Sequence, residues 1–302
     1  MKNIALLLIA FAFVSCVNST DKSKNDKVDT KSIDELSKVE KLAGDFLFTE
    51  GPAVDNEGNV YFTDIPQNMI LIWTVDNKLD TFRINSGRAN GLYFDRNENL
   101  LACEGGNGLV SKTSPNGEYS KAATQYNGNK FNQPNDLWPD TKGGFYFTDP
   151  KYGEDESQLP QDGMHVYYVT PGYKEVIRVC DDYEKPNGIL GTPDGSTLYV
   201  TDNTGGKTFS YNINDDGTLS NKSLFADVGC DGMTLDKSGN VYLTPSGKKA
   251  VDVYSPTGKL IKSIPVPEEP SNVCFGGKDR NQLFITARTS IYRIELNTNG
   301  VD

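Results

Sequence analysis

Histidine is almost absent. His165 is the one residue of its kind in 302, so a Ser-His-Asp or Cys-His mechanism would have to run through it. It falls in a predicted strand, Met164-His165-Val166-Tyr167-Tyr168, outside the polar positions that the chain repeats. Cysteine is scarce as well. Cys103, Cys180, Cys230 and Cys274 fit no metal-binding spacing. They lie in different copies of the repeat, so buried free thiols are expected, with one disulfide as the alternative in an exported chain. Runs of basic residues are missing: 30 Lys and Arg face 41 Asp and Glu, for a net charge of −11. That argues against nucleic acid, whose affinity rests on cationic contacts to phosphate. The one long apolar run, Ile4 to Val14, is too short to cross a bilayer.

That run has its own reading. Lys2 precedes it, and it ends in Phe13-Val14-Ser15-Cys16, the pattern of a secretory signal. Small residues before a cysteine resemble a bacterial lipoprotein cleavage box. Residues 1–15 are therefore read as a lipoprotein signal peptide and Cys16 as the acylated first residue. Residues 16–38 are rich in Ser, Thr, Asn, Asp and Lys and read as a flexible tether. The expected location is exported and lipid-anchored, on the periplasmic or cell-surface side, with the lipid on Cys16 as the membrane contact.

What the chain has in quantity is a repeated phrase. Phe131 to Asp149 shows it in full: a polar residue, Asn135, a short apolar strand, a turn at Thr141-Lys142-Gly143-Gly144, and a second strand ending in Thr148-Asp149. Copies start at 50, 90, 135, 187, 231 and 271. A period of about 40–45 residues with several short strands per copy is the signature of a propeller blade. The fold class is all-β, a six-bladed β-propeller over residues 39–297. The sixth copy is one strand short, and Val39 to Gly44 is otherwise unassigned. It is expected to pair as the missing outer strand and close the ring.

The chemistry lies at the head of each copy: Glu50, Asn90, Asn135, Asn187, Asp231 and Ser271. First strands line the central channel of a propeller, so equivalent positions form a ring at one mouth. Gly51, Gly91, Gly188 and Gly232 follow four of them, which lets backbones approach near a crowded axis. Asn-Gly and Asp-Gly are also common turn residues, but each copy carries a separate turn, such as Asn56-Glu57-Gly58. The ring offers oxygen and no sulfur or imidazole. Hard donors suit Ca²⁺, Mg²⁺ or Mn²⁺ better than Zn²⁺, which stays as a remaining alternative. Glu50 and Asp231 would balance one divalent cation. Thr63-Asp64, Thr148-Asp149 and Thr201-Asp202 are expected to hold strand ends and loops by local hydrogen bonds.

The order Thr49-Glu50-Gly51-Pro52, Asn132-Gln133-Pro134-Asn135-Asp136-Leu137, Lys185-Pro186-Asn187-Gly188, Asp231-Gly232-Met233 resembles the family of regucalcin (senescence marker protein), gluconolactonase and luciferin-regenerating enzyme. The resemblance covers about residues 45–297. It implies a six-bladed propeller, one axial divalent cation, usually Ca²⁺, and lactone hydrolysis. By motif, Glu50, Asn187 and Asp231 match the metal ligands. Asn135 matches a residue facing metal and substrate, which ligates the metal in related phosphotriesterase propellers. Asn90 sits where some bacterial gluconolactonases have Asn-Gly. Gln133 stands where regucalcin-type members have an Arg that holds sugar hydroxyls, and Gly105-Gly106 where many bacterial gluconolactonases carry a His.

The site reading is thus metal ligands Glu50, Asn135, Asn187 and Asp231, substrate contacts Asn135, Asn90 and Gln133, and Asp231 as the catalytic base. Asp136 is the other candidate base, but adjacent strand side chains alternate, so it is expected to face away from the channel. The function expected is hydrolysis of small lactones by a monomer. The alternatives are a metal-dependent hydrolase of other small esters or phosphotriesters, and a non-catalytic ligand-binding propeller.

Overall fold

Each turn signal in the repeat closes a hairpin. Asp55 Oδ1 accepts from the backbone N–H groups of Glu57 (3.0 Å) and Asn59 (2.9 Å), and Gly58 takes a left-handed φ of 95°. Asp95, Asp140 and Asp236 make the same two bonds in their own copies. An aspartate that caps its own turn fixes where the first strand of a blade ends and the second begins.

The computed structural model describes residues 33–153 and 158–301. Among these are 24 strands and no helix, arranged as six four-stranded antiparallel sheets. Blade 1 shows the plan: β2 (Thr49–Val54), β3 (Val60–Asp64), β4 (Met69–Trp73) and β5 (Leu79–Ile84), paired in that order from the axis outward. β2 is buried along its whole length and β5 is almost wholly exposed. The innermost strands of the others are β6 (Ala89–Phe94), β10 (Leu137–Pro139), β14 (Pro186–Gly191), β18 (Cys230–Leu235) and β22 (Asn272–Gly276). They touch in cyclic order and β22 returns to β2. Every blade packs both faces against neighbours, so inner strands read as nearly continuous apolar runs. Tyr146, Tyr167, Tyr242, Phe62 and Phe147 are among the largest fully buried side chains between blades.

The missing strand is found. β1 (Glu40–Ala43) pairs antiparallel with β24 (Ser290–Glu295), completing the sheet β1-β24-β23-β22, where β23 is Gln282–Ala287. Contacts with the ring begin earlier than residue 39. Ile33 is buried with Val251, Ile264 and Leu296, Lys262 Nζ donates to its carbonyl (2.8 Å), and Leu36 N–H donates to Glu295 O (2.8 Å). The expected signal peptide, the expected lipid site at Cys16 and the stretch read as a tether, up to residue 32, lie outside the described residues. Cys103, Cys180, Cys230 and Cys274 are buried, and no disulfide joins them among the described residues.

Candidate functional site

Four of the six innermost strands break register at the repeated polar position. The shifts fall between Glu50 and Ala53, Ala89 and Leu92, Pro186 and Ile189, and Cys230 and Met233. They coincide with Glu50-Gly51, Asn90-Gly91, Asn187-Gly188 and Asp231-Gly232. A β-bulge re-aims a side chain and raises local twist, and here it sets the polar residue at the axial mouth. The glycines make room between neighbouring blades. A Cβ on Gly51, whose φ is +45°, would stand 2.1 Å from Asn90 O, and one on Gly188 would stand 2.6 Å from Asp231 O.

Glu50 and Asn187 are buried, and Asp231 and Asn90 are half-buried. Glu50 Oε2 accepts from Gly51 N–H (3.0 Å). Asn187 Nδ2 donates to Asp231 Oδ1 (2.7 Å) and to the Tyr152 hydroxyl (2.6 Å). Burial lifts the Glu50 carboxyl well above the usual carboxylate range, and the charge of Asp231 adds to it. Burial pushes Asp231 up to about 6, opposed by hydrogen bonds from Asn187 and from the Glu50 carboxyl. The two carboxyl groups are thus close enough to act on one another.

Two positions differ from the sequence reading. Asp136 faces the axis rather than away from it. It lines a small axial cavity of ≈ 30 Å³ with Leu92, Leu137, Ile189, Met233 and Asn272, room for a water molecule. Strand alternation does not apply to it, because β10 starts only at Leu137. Burial pushes Asp136 up to about 7, and Asp231 acts in the same direction. Ser271 does not present its hydroxyl to the ring. Its Oγ donates to Thr49 O (2.6 Å) across the closure between last and first blades. The sixth blade contributes Asn272, which lines the same cavity as Asp136 and favours the ionised form of the Glu50 and Asp136 carboxyl groups. In this blade Asn272 faces Thr286 in an unbroken register, so the polar position falls one residue later. The signal that could have found it is the lack of a glycine after Ser271.

Asn135 and Gln133 sit on the segment before β10. Asn135 is buried, and its carbonyl accepts from Gly91 N–H (2.7 Å). Gln133 Oε1 accepts from Tyr152 N–H (2.7 Å). In the Thr-Asp pairs the Asp holds the chain entering its own blade, as expected, while the Thr reaches beyond the blade. Asp64, Asp149 and Asp202 each accept two backbone N–H bonds from the segment entering their blade. Thr63 and Thr148 donate to the carbonyls of Asn90 (3.2 Å) and Asn187 (2.7 Å) in the next blade. His165 is buried in a third strand, β12 (His165–Val169), against Asp162 and Arg178.

No ion pair reaches Glu50, Asp136 or Asp231 among the described residues. No group of three or more His, Cys, Asp or Glu suited to a metal is found there either. Carboxylates grouped on the axis, with side-chain amides among them, offer the hard oxygen donors that a divalent cation takes. Fold and site together define a six-bladed propeller with an acid–amide ring on its axis. The chain belongs to the SMP-30/Gluconolactonase/LRE-like family, whose sequence profile matches residues 48–289. It is similar to a gluconolactonase of Zymomonas mobilis, 29% identical over 303 positions that cover 89% of this chain and 84% of that one. A solved gluconolactonase of Xanthomonas campestris superposes with a TM-score of 0.79 at 26% identity, covering 85% of this chain and 89% of that one. A solved regucalcin of Agrobacterium tumefaciens, described as a calcium-binding protein, shares the fold with a TM-score of 0.74 at 18% identity, covering 88% and 95%.

Proposed function

We propose that the chain hydrolyses small lactones with the help of one divalent cation, Ca²⁺, held by Glu50, Asn135, Asn187 and Asp231. The observation that carries this is the convergence of acids on the axis: buried Glu50 and half-buried Asp231 act on one another with Asp136 nearby, and no ion pair reaches the three among the described residues. Two similar proteins named gluconolactonase support the substrate class. When bound, the cation supplies Lewis-acid polarisation of the ester carbonyl. Asp231, half-buried at the mouth, is the base that takes the proton of the attacking water. Asp136 stands beneath it as the alternative base. Water oxygen bonds to the carbonyl carbon, the ring C–O bond breaks, and the proton reaches the released alkoxide, giving the open hydroxy acid. Asn90, Asn135 and Gln133 face the substrate, and Gln133 Oε1 also holds the loop of Tyr152.

The test is a panel of sugar and simple lactones, with small esters and phosphotriesters beside them, assayed with and without chelator. Chelator-sensitive turnover of lactones, restored by Ca²⁺, is the expected result. Activity untouched by chelation would remove the cation from the reading, and no turnover across the panel would leave a ligand-binding propeller.

A further inference from the structure

We propose that Tyr152 is a positioning residue for Asn187: its hydroxyl fixes the plane of that amide so that the amide oxygen is held ready for the axial cation. The inference rests on the cation site proposed above. Asn187 Nδ2 has two hydrogens and two acceptors, Asp231 Oδ1 at 2.7 Å and the Tyr152 hydroxyl at 2.6 Å. An amide presents a donor end and an acceptor end of nearly the same shape, and a hard cation takes the oxygen alone. The Asp231 carboxylate selects the end, because an amide oxygen turned toward it would meet like charge. One hydrogen bond still leaves the amide free to rotate about its terminal torsion, which is broad. The second, from a different direction, stops that rotation.

Tyr152 is itself held in two ways. Its backbone N–H donates to Gln133 Oε1 at 2.7 Å, and the Lys185 ammonium lies 4.7 Å from its ring centroid. Gln133 and Lys185 sit in the segments entering the third and fourth blades, so two blade entrances converge on one phenol. Gln133, at the place where the resemblance puts an arginine for sugar hydroxyls, also ties down the loop.

The experiment is calorimetric titration of Ca²⁺ into the metal-stripped protein and three variants, Tyr152→Phe, Gln133→Ala and the two combined, with turnover measured at saturating Ca²⁺. Tyr152→Phe keeps the ring and removes the acceptor. It should weaken Ca²⁺ binding by about 10- to 100-fold, the range for groups that orient metal ligands, and turnover should return when Ca²⁺ is raised. Gln133→Ala should weaken binding less and add nothing in the Tyr152→Phe background. Tyr152→Phe binding Ca²⁺ within about twofold of the unaltered protein would overturn the assignment. So would turnover that stays low at saturating Ca²⁺, which would put Tyr152 among the catalytic residues. An unaltered protein that takes up no Ca²⁺ would overturn the cation site itself, and this inference with it.

Discussion

Asp231 meets several demands with one carboxyl group: it accepts from Asn187, acts electrostatically on Glu50 and is half-exposed at the mouth. Asp231→Asn keeps the shape and an oxygen but deletes the charge. Ca²⁺ affinity should fall, because affinity in oxygen sites follows the number of charged ligands. Turnover at saturating Ca²⁺ should fall by a further factor of about 10²–10⁴, the usual contribution of a general base. Calcium titration paired with saturated rates checks both. Full recovery of turnover at high Ca²⁺ would assign the base to Asp136 or Glu50. The residues that could be read from sequence are those followed by glycine, because the glycine marks the bulge that aims them inward. Asn272 has no such mark and was hidden behind Ser271. The orientation of Asp136 depends on where β10 begins, and that is set by pairing with a distant strand. Tyr152 lies on an irregular loop whose path only the packed ring determines.

Among the elements, the second strands do more than fill the blades. The penultimate residue of β11 (Phe145–Asp149) is Thr148, whose buried Oγ1 donates to Asn187 O (2.7 Å) and accepts from Asp136 N–H (3.2 Å). One hydroxyl thereby joins the backbones of two site residues. Thr148→Val keeps the shape and leaves both groups without that partner, which costs about 1–3 kcal/mol. Urea unfolding should show a lower midpoint at unchanged slope, and Ca²⁺ binding should weaken with it. A midpoint equal to the original would show the clasp to be dispensable. The hairpins, the period and the closing strand were legible because local turn chemistry and burial fix them. The inter-blade clasps were visible as a recurring Thr-Asp, but their partners lie 27 to 39 positions ahead and have no local signature.

The whole ring depends on its last blade. Glu268, in the crossing before β22, accepts from Thr289 N–H (3.0 Å), Thr289 Oγ1 (2.9 Å), Ser290 Oγ and Tyr292 Oη (2.7 Å). Partial burial would raise its carboxyl, but these bonds outweigh that and bring it down from 4.5 to about 2. A group with a depressed folded value stabilises fully above its unfolded value and loses that contribution as pH falls. Glu268→Gln should therefore be less stable than the unaltered protein at pH 7. The gap should narrow between pH 4.5 and about 2, read as urea midpoints across that range. A gap independent of pH would show that packing and not charge is at work.

The closing sheet also ties the ring to the order in which the chain is made. Arg293 Nη2 donates to Glu40 Oε2 at 2.9 Å across a separation of 253 positions. At synthesis rates of roughly 5–20 residues per second, β1 waits roughly 10–50 s for the strand it pairs with. Through that interval Glu40 and Lys41 place charge on a strand with an open edge, which discourages pairing with the wrong partner. The first strand to appear is thus the last to be satisfied, and a chain broken off before Ser290 has no place to put it.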